Sequence, residues 1–435
     1  METTSQERTP LLQDMKVTIH KTSMIFPSKQ IEKKSLFLSN IDRVLNFHVK
    51  TVHFFEANKD FPPQIVTEKL KKALEDALVA YDFLAGRLKM NTETNRLEID
   101  CNAEGVGFVV ASSEYKLNQI GDLAYPNQAF AQFVHNAKDF LKIGDLPLCV
   151  VQVTSFKCGG FAFGITRSHA AIDGHSLKIF LDNLAALAAN MPLIMTPFND
   201  RQLLAARSPP HVDFPHPEMI KLDNLLPLGN ESGVFEASSE ELDFKVFQLT
   251  SKNINKLKEK AKINSIARVT SFNVITTHLW RCKALSGPYD PNRSSTILYA
   301  VDIRSRLNPP LPREYAGNEG EFSRLVEMVW EGTKRMGDEY ARSIIDWGEL
   351  YNGFPNGELL VSSWWRLGFE EVEYPWGKPK YCCPVVYHKK DIILLFPSFH
   401  GVEGGDDGVN IIVALPPPFG SRVLEGRGGK GRGDF

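Results

Sequence analysis

The chain has 435 residues, of which 43% are hydrophobic and 23% are charged. Fifty basic residues nearly balance 52 acidic ones, which leaves a formal charge of −2 and no overall positive field that would hold nucleic acid or an anionic membrane. These proportions exclude disordered, collagenous and disulfide-framework chains, and the length predicts two domains of about 200 residues each.

The N-terminus and the cysteines indicate where the protein works. The opening METTSQERTPLLQDMK lacks the apolar core of a signal peptide, and the sequence contains no uncharged apolar run long enough to span a membrane. The six cysteines are scattered without the C-x-x-C spacing of metal or redox sites. We therefore expect a cytoplasmic protein with reduced thiols, in which the adjacent pair Cys382 and Cys383 are packing residues. We also expect a monomer.

Strands and helices alternate in the first half of the chain. VTIHKTSMIF and VKTVHFFEA predict strands, and 65–81 predicts a helix whose apolar residues share one face. RLEID and GFVVA predict short strands, and AFAQFVHNAKDFL predicts a helix. LCVVQVTSF and GFAFGIT predict two buried strands joined by a turn at 157–160. The second of these strands ends at SHAAIDG, and HSLKIFLDNLAALAANM predicts the next helix.

A proline-rich stretch at 192–216 has no sustained periodicity, and we interpret it as the crossover between an N-terminal domain, 1–191, and a C-terminal domain, 217–435. The chain closes with a Gly/Arg-rich tail at 424–435 that we expect to be disordered. The alternation of strands and helices predicts an α/β or α+β fold class.

The C-terminal domain resumes the alternation. We predict a strand at KVFQLT, a helix capped by Ser251, a helix that begins near Thr270 or Ser271, and a strand at STILYAVDIR. EGEFSRLVEMVWEGTKRMGDEYARSIID predicts one long helix. LLVSSWW, PVVYH, DIILLF and VNIIVAL predict strands of a sheet.

The residues suited to chemistry lie at the end of GFAFGIT. The sequence contains no G-x-S-x-G, H-E-x-x-H, Cys/His cluster or P-loop, so we predict no bound metal and no bound cofactor. His169 and Asp173 follow an apolar strand and precede a helix, where α/β sheets place reacting groups. His169 is suited to take a proton near neutral pH, while Asp173 either orients it or pairs with an arginine. A core histidine with a capping aspartate is the alternative.

Ordered motifs along nearly the whole chain resemble the plant BAHD acyl-CoA-dependent acyltransferases, in the branch that acts with hydroxycinnamoyl groups or on coniferyl-type alcohols. The motifs are PSK…SLFLSNID at 27–42, AGRL at 85–88, HxxxDG at 169–174, VDIRSRLNPPLPREYAGN at 301–318, and VEYPWGKP at 372–379 in place of the family's DFGWG. The resemblance implies two chloramphenicol-acetyltransferase-like domains, each a mixed sheet with helices. It also implies a channel between them, with part of 355–395 packed on the N-terminal domain.

The resemblance implies a reaction as well. Acyl-CoA would enter as co-substrate from one side and a small-molecule acceptor from the other, and His169 would deprotonate the acceptor for direct attack on the thioester. Ser362 and Trp364 match a Thr-x-Trp element that stabilises the oxyanion in hydroxycinnamoyl relatives, with Ser replacing Thr. A purely buried aromatic is the alternative for Trp364.

Further roles follow from the same resemblance. Asp173 would form a salt bridge with Arg304 and act as a structural anchor. Trp376 and Gly377 would be structural, far from the chemistry.

CoA contacts are implied near Thr270 and Ser271, where N-capping is the alternative. Arg366 follows Trp365 at a place where relatives with acidic acceptors carry a carboxylate-binding arginine, and a structural role is its alternative.

Several functions stay open on the sequence. The leading one is acyl transfer from CoA to an alcohol, with a phenylpropanoid or other lipophilic acceptor, or to an amine. A condensation-type domain shares the fold, but Ser168 replaces the first histidine of its motif and no carrier domain follows. A non-catalytic paralogue or binding module is supported by a segment that looks shortened after Asn318 and by the unusual tail.

Overall fold

Two mixed sheets with packed helices organise the protein. The structure, a computed structural model, describes residues 11–125, 127–143, 146–221, 242–262, 269–286, 296–312, 314–315, 320–322, 337–351, 353–355, 357–385, 391–398 and 408–415. The segment around Asn318 and the predicted tail at 424–435 lie outside these residues. None of the helices described in these ranges is long and apolar enough to cross a bilayer.

The N-terminal half follows the predicted alternation closely. Its elements are β1 (Val17–Ile25), β2 (Lys34–Phe37), α1 (Asn40–Val44), β3 (His48–Phe55), α2 (Pro63–Ala80), β4 (Arg87–Asn91), β5 (Arg96–Cys101), β6 (Val106–Ser113), β7 (Cys149–Ser155), β8 (Phe161–Ser168) and α3 (Gly174–Ala188). The predicted face of α2 is confirmed, because its apolar residues are buried in one core: Val66, Leu70, Ala73, Leu74, Ala77 and Leu78.

The single helix predicted at AFAQFVHNAKDFL is wrong. Two short 3-10 helices, Gln128–Phe133 and Ala137–Ile143, take its place. A continuous α-helix would need the carbonyls of residues 132 and 135 for its own hydrogen bonds. Side chains of the adjacent sheet bind both of them instead, since Gln152 Nε2 donates to the first at 2.9 Å and Thr166 Oγ1 to the second at 2.7 Å.

The C-terminal half supplies the remaining elements in the described part of the chain. They are β9 (Met219–Lys221), β10 (Asp243–Leu249), α4 (Ser251–Lys262), α5 (Ser271–Ser286), β11 (Ile297–Asp302), β12 (Gly320–Phe322), α6 (Asp338–Leu350), β13 (Gly353–Pro355), β14 (Leu359–Ser363), β15 (Tyr381–Pro384), β16 (Ile392–Pro397) and β17 (Val409–Leu415).

Two local predictions in this half are wrong. The cap of α4 is Thr250 and not Ser251, because Thr250 Oγ1 accepts the backbone N–H of Asn253 at 3.2 Å. The long helix predicted from residue 319 begins instead as β12, which pairs antiparallel with β11. Pairing with β11 holds residues 320–322 extended, and the helix that follows in the described part of the chain starts at Asp338, while 323–336 lie outside the described residues.

The described strands form two six-stranded sheets and two smaller ones. The first sheet has the order β1-β6-β7-β8-β3-β15 and the second β10-β17-β16-β14-β11-β12. Each sheet mixes parallel and antiparallel pairs, so the predicted α/β (α+β) class is confirmed. The strand predicted at PVVYH lies earlier, as β15, and pairs with β3 in the first sheet, whereas β14, β16 and β17 belong to the second.

Candidate active site

The loop between β8 and α3 carries the H-x-x-x-D pattern. All eight residues of β8 are buried, and so are Ala170, Ala171 and Ile172 in the loop. His169 is only partly buried. Its backbone N–H donates to the carbonyl of Phe47 at 2.8 Å, and the two rings lie 5.1 Å apart. A buried strand and a largely buried loop therefore hold His169, which is itself partly exposed.

Asp173 is the N-cap of α3 and is joined to a distant arginine. Its Oδ1 accepts the N–H of Ser176 at 2.8 Å, and its Oδ2 lies 3.4 Å from Arg304 Nη2. The same Nη2 donates to Ser176 Oγ at 2.9 Å and to the carbonyl of Tyr315 at 3.2 Å. Burial raises the pKa of Asp173, but Arg304, Ser176 and His169 together bring it below its usual value. The aspartate is therefore ionised and fixed towards Arg304, as the resemblance implied.

A second arginine holds the same loop, and the sequence analysis missed it. Arg201 Nη1 donates to the carbonyl of Ala170 at 2.9 Å, and its Nη2 donates to the carbonyl of Ala171. Arg201 also pairs with Asp42 at 3.2 Å, and neither side chain has any exposed surface. Arg201 lies in the crossover, which has no periodic pattern, so local sequence held no signal for it.

Trp364 bridges the two domains. It follows β14, its indole Nε1 donates to Ser362 Oγ at 3.2 Å, and its backbone N–H donates to Leu395. Its ring lies 5.7 Å from Phe369 and 5.6 Å from Phe396, and it packs against the cores of both sheets. Because Ser362 accepts the indole hydrogen, the hydroxyl keeps its own hydrogen to donate elsewhere.

The segment after Trp364 packs against the start of α3. A Cβ added to Gly174 would lie 2.8 Å from Leu367 Cδ1. Leu367 closes a turn by donating its N–H to the carbonyl of Trp364 at 3.2 Å. The residue that follows Asp173 therefore meets the segment that follows Trp364.

The residues predicted to contact CoA and an acidic acceptor contact neighbouring residues of this chain. Thr270 Oγ1 accepts the N–H of Asn273 at 3.1 Å, which makes it the N-cap of α5, while Ser271 is the first residue of that helix. Arg366 is exposed, and its guanidinium lies 5.3 Å from the Trp365 ring.

Trp376 lies in the core of the first sheet, and Gly377 follows it at a partly buried turn. Trp376 is 5% exposed, stacks on Tyr374 at 5.0 Å and lies 6.1 Å from Phe161. Gly377 has φ +109°, a conformation that favours glycine. Among the residues that the structure describes, no group of three or more His, Cys, Asp or Glu side chains could hold a metal ion.

The cysteine pair of β15 makes a contact with β3 that the sequence analysis did not predict. Cys382 Sγ lies 3.1 Å from His53 Nδ1 on the neighbouring β3. Burial and the charge of Arg167 lower the pKa of His53 to about 3, and burial raises the pKa of Cys382 well above its usual value. Both side chains are therefore neutral, and this thiol is not an activated nucleophile.

Comparisons with known proteins match most of the chain. The model of a family described as the Transferase family matches residues 15–418. The Arabidopsis thaliana protein named acyltransferase GLAUCE is 55% identical over 441 residues, with 96% of each chain covered. Omega-hydroxypalmitate O-feruloyl transferase from the same plant is 31% identical, covering 91% of this chain and 89% of the relative.

Solved structures share the fold at lower identity. Vinorine synthase superposes with a TM-score of 0.69 at 23% identity, over 94% of this chain and 97% of its own. TRI101 of F. sporotrichioides, solved with coenzyme A and T-2, gives a TM-score of 0.68 at 15% identity, over 90% and 96% of the two chains.

Proposed function

The chain belongs to the transferase family of plant BAHD acyl-CoA-dependent acyltransferases, and we propose that it moves an acyl group from CoA to the hydroxyl of a lipophilic, phenylpropanoid-type alcohol. One observation carries the proposal: a partly exposed His169 on a loop fixed by buried ion pairs, at the junction of the two sheets. The cytoplasmic location and monomeric state expected from the sequence stay predictions.

The proposed reaction is a direct transfer. The imidazole of His169 takes the proton of the acceptor hydroxyl, and the oxygen attacks the thioester carbonyl carbon. The tetrahedral intermediate then collapses and breaks the carbon–sulfur bond. The departing CoA thiolate takes the proton from the imidazolium, which leaves an ester, free CoA and neutral His169. No acyl-enzyme forms, so no activated nucleophile is needed.

The negative oxygen of the intermediate needs a donor, and we assign that role to Ser362. Trp364 donates to the Ser362 oxygen at 3.2 Å, which orients the hydroxyl and leaves its hydrogen for another acceptor. The packing of Trp364 against both cores restricts the movement of this partly buried pair. A preorganised donor in a dry site stabilises an oxyanion more strongly than water does.

Asp173 serves this reaction as an anchor rather than as a proton relay. Its two oxygens are directed to Ser176 and Arg304, and its charge is retained because the neighbouring donors lower its pKa. We propose that it fixes the start of α3 and hence the far end of the loop that carries His169.

The relatives' names support the substrate class. Besides the feruloyl transferase, a fatty alcohol:caffeoyl-CoA acyltransferase of Arabidopsis thaliana is 32% identical over 92% of this chain. Both names join a hydroxycinnamoyl group to a long-chain hydroxy compound, a hydroxy fatty acid in one and a fatty alcohol in the other. We therefore propose hydroxycinnamoyl-CoA donors first, with coniferyl-type and long-chain alcohols as acceptors.

A thiol-release assay tests this function. Acetyl-, malonyl-, benzoyl-, coumaroyl- and feruloyl-CoA are each combined with coniferyl alcohol, a long-chain alcohol, an ω-hydroxy fatty acid and an aromatic amine. His169→Ala is expected to lower turnover by about 10²- to 10⁴-fold while the circular dichroism spectrum is unchanged. Transfer at the normal rate in this variant would refute the general base. Binding of acyl-CoA without turnover of any pair would identify a binding module instead.

A further inference from the structure

Arg201 connects the interdomain crossover to the loop of His169. It opens the 3-10 helix Arg201–Leu204, far from the H-x-x-x-D pattern in sequence, and its side chain is completely buried. We propose that Arg201, held by Asp42, is a positioning residue that orients His169 through the backbone of Ala170 and Ala171. This inference rests on the proposed function, because it concerns the placement of the general base.

The hydrogen bonds of Arg201 are directed at consecutive carbonyls. Nη1 and Nη2 donate to the oxygens of Ala170 and Ala171, the two residues that directly follow His169. A planar guanidinium can span two adjacent acceptors in this way, whereas a lysine ammonium is a single point charge on a flexible stem. The fork therefore sets the direction of the backbone at the point where the imidazole is attached.

Asp42 fixes Arg201 from the other side. Its Oδ1 lies 3.2 Å from Arg201 Nη1, while its Oδ2 accepts the N–H and the hydroxyl of Ser39, each at 2.8 Å. The second oxygen is thus committed to the capping box of α1. Because both oxygens of this buried carboxylate are hydrogen-bonded, Asp42 holds the Arg201 side chain in place. It thereby joins α1, the crossover and the loop of His169 in one rigid unit.

The crossover also contacts the residues around the Arg304–Asp173 ion pair. The N–H of Phe198 donates to the carbonyl of Glu314 at 2.9 Å, and Phe198 pairs with Tyr315. The carbonyl of Tyr315 accepts from Arg304, which holds Asp173. The loop from His169 to Asp173 is therefore fixed at both ends, by Arg201 near its start and by Arg304 at its end. Rates depend on such placement, since a shift of about 1 Å in a reacting group can cost about 100-fold.

Arg207 offers a matched control in the same crossover. Its Nε and backbone N–H donate to the two oxygens of Asp346 in α6 at 2.6 and 2.8 Å. Its contacts in the described part of the chain are with α6 and with the crossover itself, and its side chain is 31% exposed. Arg207→Lys thus weakens the crossover in the same chemical way without touching the loop of His169.

The test compares Arg201→Lys with Arg207→Lys in the full chain. We expect Arg201→Lys to lower kcat by about 10- to 100-fold with little change in KM for acyl-CoA, and Arg207→Lys to keep the kcat of the wild type. Thermal unfolding is measured for both, and kcat is compared well below each midpoint. Asp42→Asn keeps the shape of the partner and should lower kcat in the same direction. If Arg201→Lys does not fold, the kcat of Asp42→Asn tests the positioning role in its place.

A readout that does not need turnover separates this inference from the proposed function. The NMR signal of the His169 ring, identified by its loss in His169→Asn, should move in Arg201→Lys and stay in Arg207→Lys. An unmoved signal with an unchanged kcat would overturn the positioning role. A wild type that transfers no acyl group would instead refute the proposed function, and the histidine signal would still decide the role of Arg201.

Discussion

Asp173 is ionised and forms a buried ion pair with Arg304. Asp173 and Arg304 are both buried, with 8% and 6% of each residue exposed. Leaving one member of a buried pair alone is expensive, at about 3–5 kcal/mol, because the remaining charge stays desolvated. An anchor of this kind predicts that either partner can be removed with the same consequence.

Asp173→Asn and Arg304→Gln are therefore expected to lower kcat by similar factors, and the double variant should lose little more than either single one. Asparagine caps a helix as well as aspartate, so the cap of α3 is retained in Asp173→Asn. Steady-state rates of the four proteins form the cycle. Additive losses, or a normal rate in Asp173→Asn, would contradict the anchor.

His53 links the stability of the first sheet to pH. Burial and Arg167 lower its pKa to about 3, against about 6.5 in an unfolded chain. Between these values the unfolded state binds a proton that the folded state does not. Neutral His53 therefore makes its full contribution to stability above about pH 6.5. As the pH falls below that value, the free energy of unfolding decreases by about 1.4 kcal/mol per pH unit.

His53→Gln should accordingly reduce the pH slope of the unfolding free energy between about pH 6 and pH 4 by about one proton. Urea unfolding at a series of pH values gives the slope. Cys382→Ala is the control, because it removes the contact at 3.1 Å but leaves the histidine in place. Equal slopes in the wild type and in His53→Gln would show that the histidine is not held neutral.

Residues inside contiguous motifs could be placed from the sequence, whereas partners joined only by folding could not. His169 and Asp173 stand out at the end of an apolar strand, and the resemblance supplied Arg304. Arg201 and Asp42 meet because the crossover returns to α1, and no local pattern records that approach. The contact between His53 and Cys382 was hidden likewise, since it depends on β15 joining the first sheet.

At the scale of elements, β8 must approach the neighbouring 3-10 helix very closely. A Cβ added to Gly164 would lie 2.0 Å from the carbonyl oxygen of Phe133, which is backbone and cannot rotate away. A Cβ on Gly174 would meet only the end of the Leu367 side chain, at 2.8 Å. An added Cβ at Gly164 would therefore clash with backbone, whereas one at Gly174 would clash with a side chain that can move.

Gly164→Ala is expected to destabilise the protein by about 1–3 kcal/mol or more, because β8 or the 3-10 helix must shift. Gly174→Ala should cost less, since the Leu367 side chain can change rotamer and alanine favours the helix. Urea unfolding of both variants provides the comparison. Equal stability of the two would mean that the approach of β8 to Phe133 is not tight.

Element predictions succeeded where one residue pattern decides the structure. The apolar periodicity of α2 and the continuous apolar run of β8 settle their type without help from neighbours. The segment at 129–141 also has a helical pattern, but side chains of β7 and β8 take its carbonyls and divide it into two 3-10 helices. Tertiary competition for backbone groups cannot be read from the segment itself.

At the scale of the whole molecule, the C-terminal half supplies a strand and core side chains to the first sheet. β15 adds the last described strand to the first sheet by pairing with β3. The stretch before it and its own first residue insert side chains that are nearly fully buried in the cores packed on that sheet: Phe369, Val372, Tyr374, Trp376 and Tyr381. At about 1.5–3 kcal/mol for each, these side chains contribute about as much as the net stability of a domain, about 5–15 kcal/mol.

The predicted boundary between 1–191 and 217–435 can be tested on this basis. A fragment of residues 1–216 keeps β1 to α3 but leaves β3 as an open, apolar edge and a cavity where Trp376 lies, so we expect it to aggregate without a cooperative urea transition. Co-production with 217–435 should restore a soluble pair, because the missing strand is then supplied in trans. A fragment 1–216 that unfolds cooperatively by itself would show that the interlocking of the halves contributes little to the stability of the first sheet.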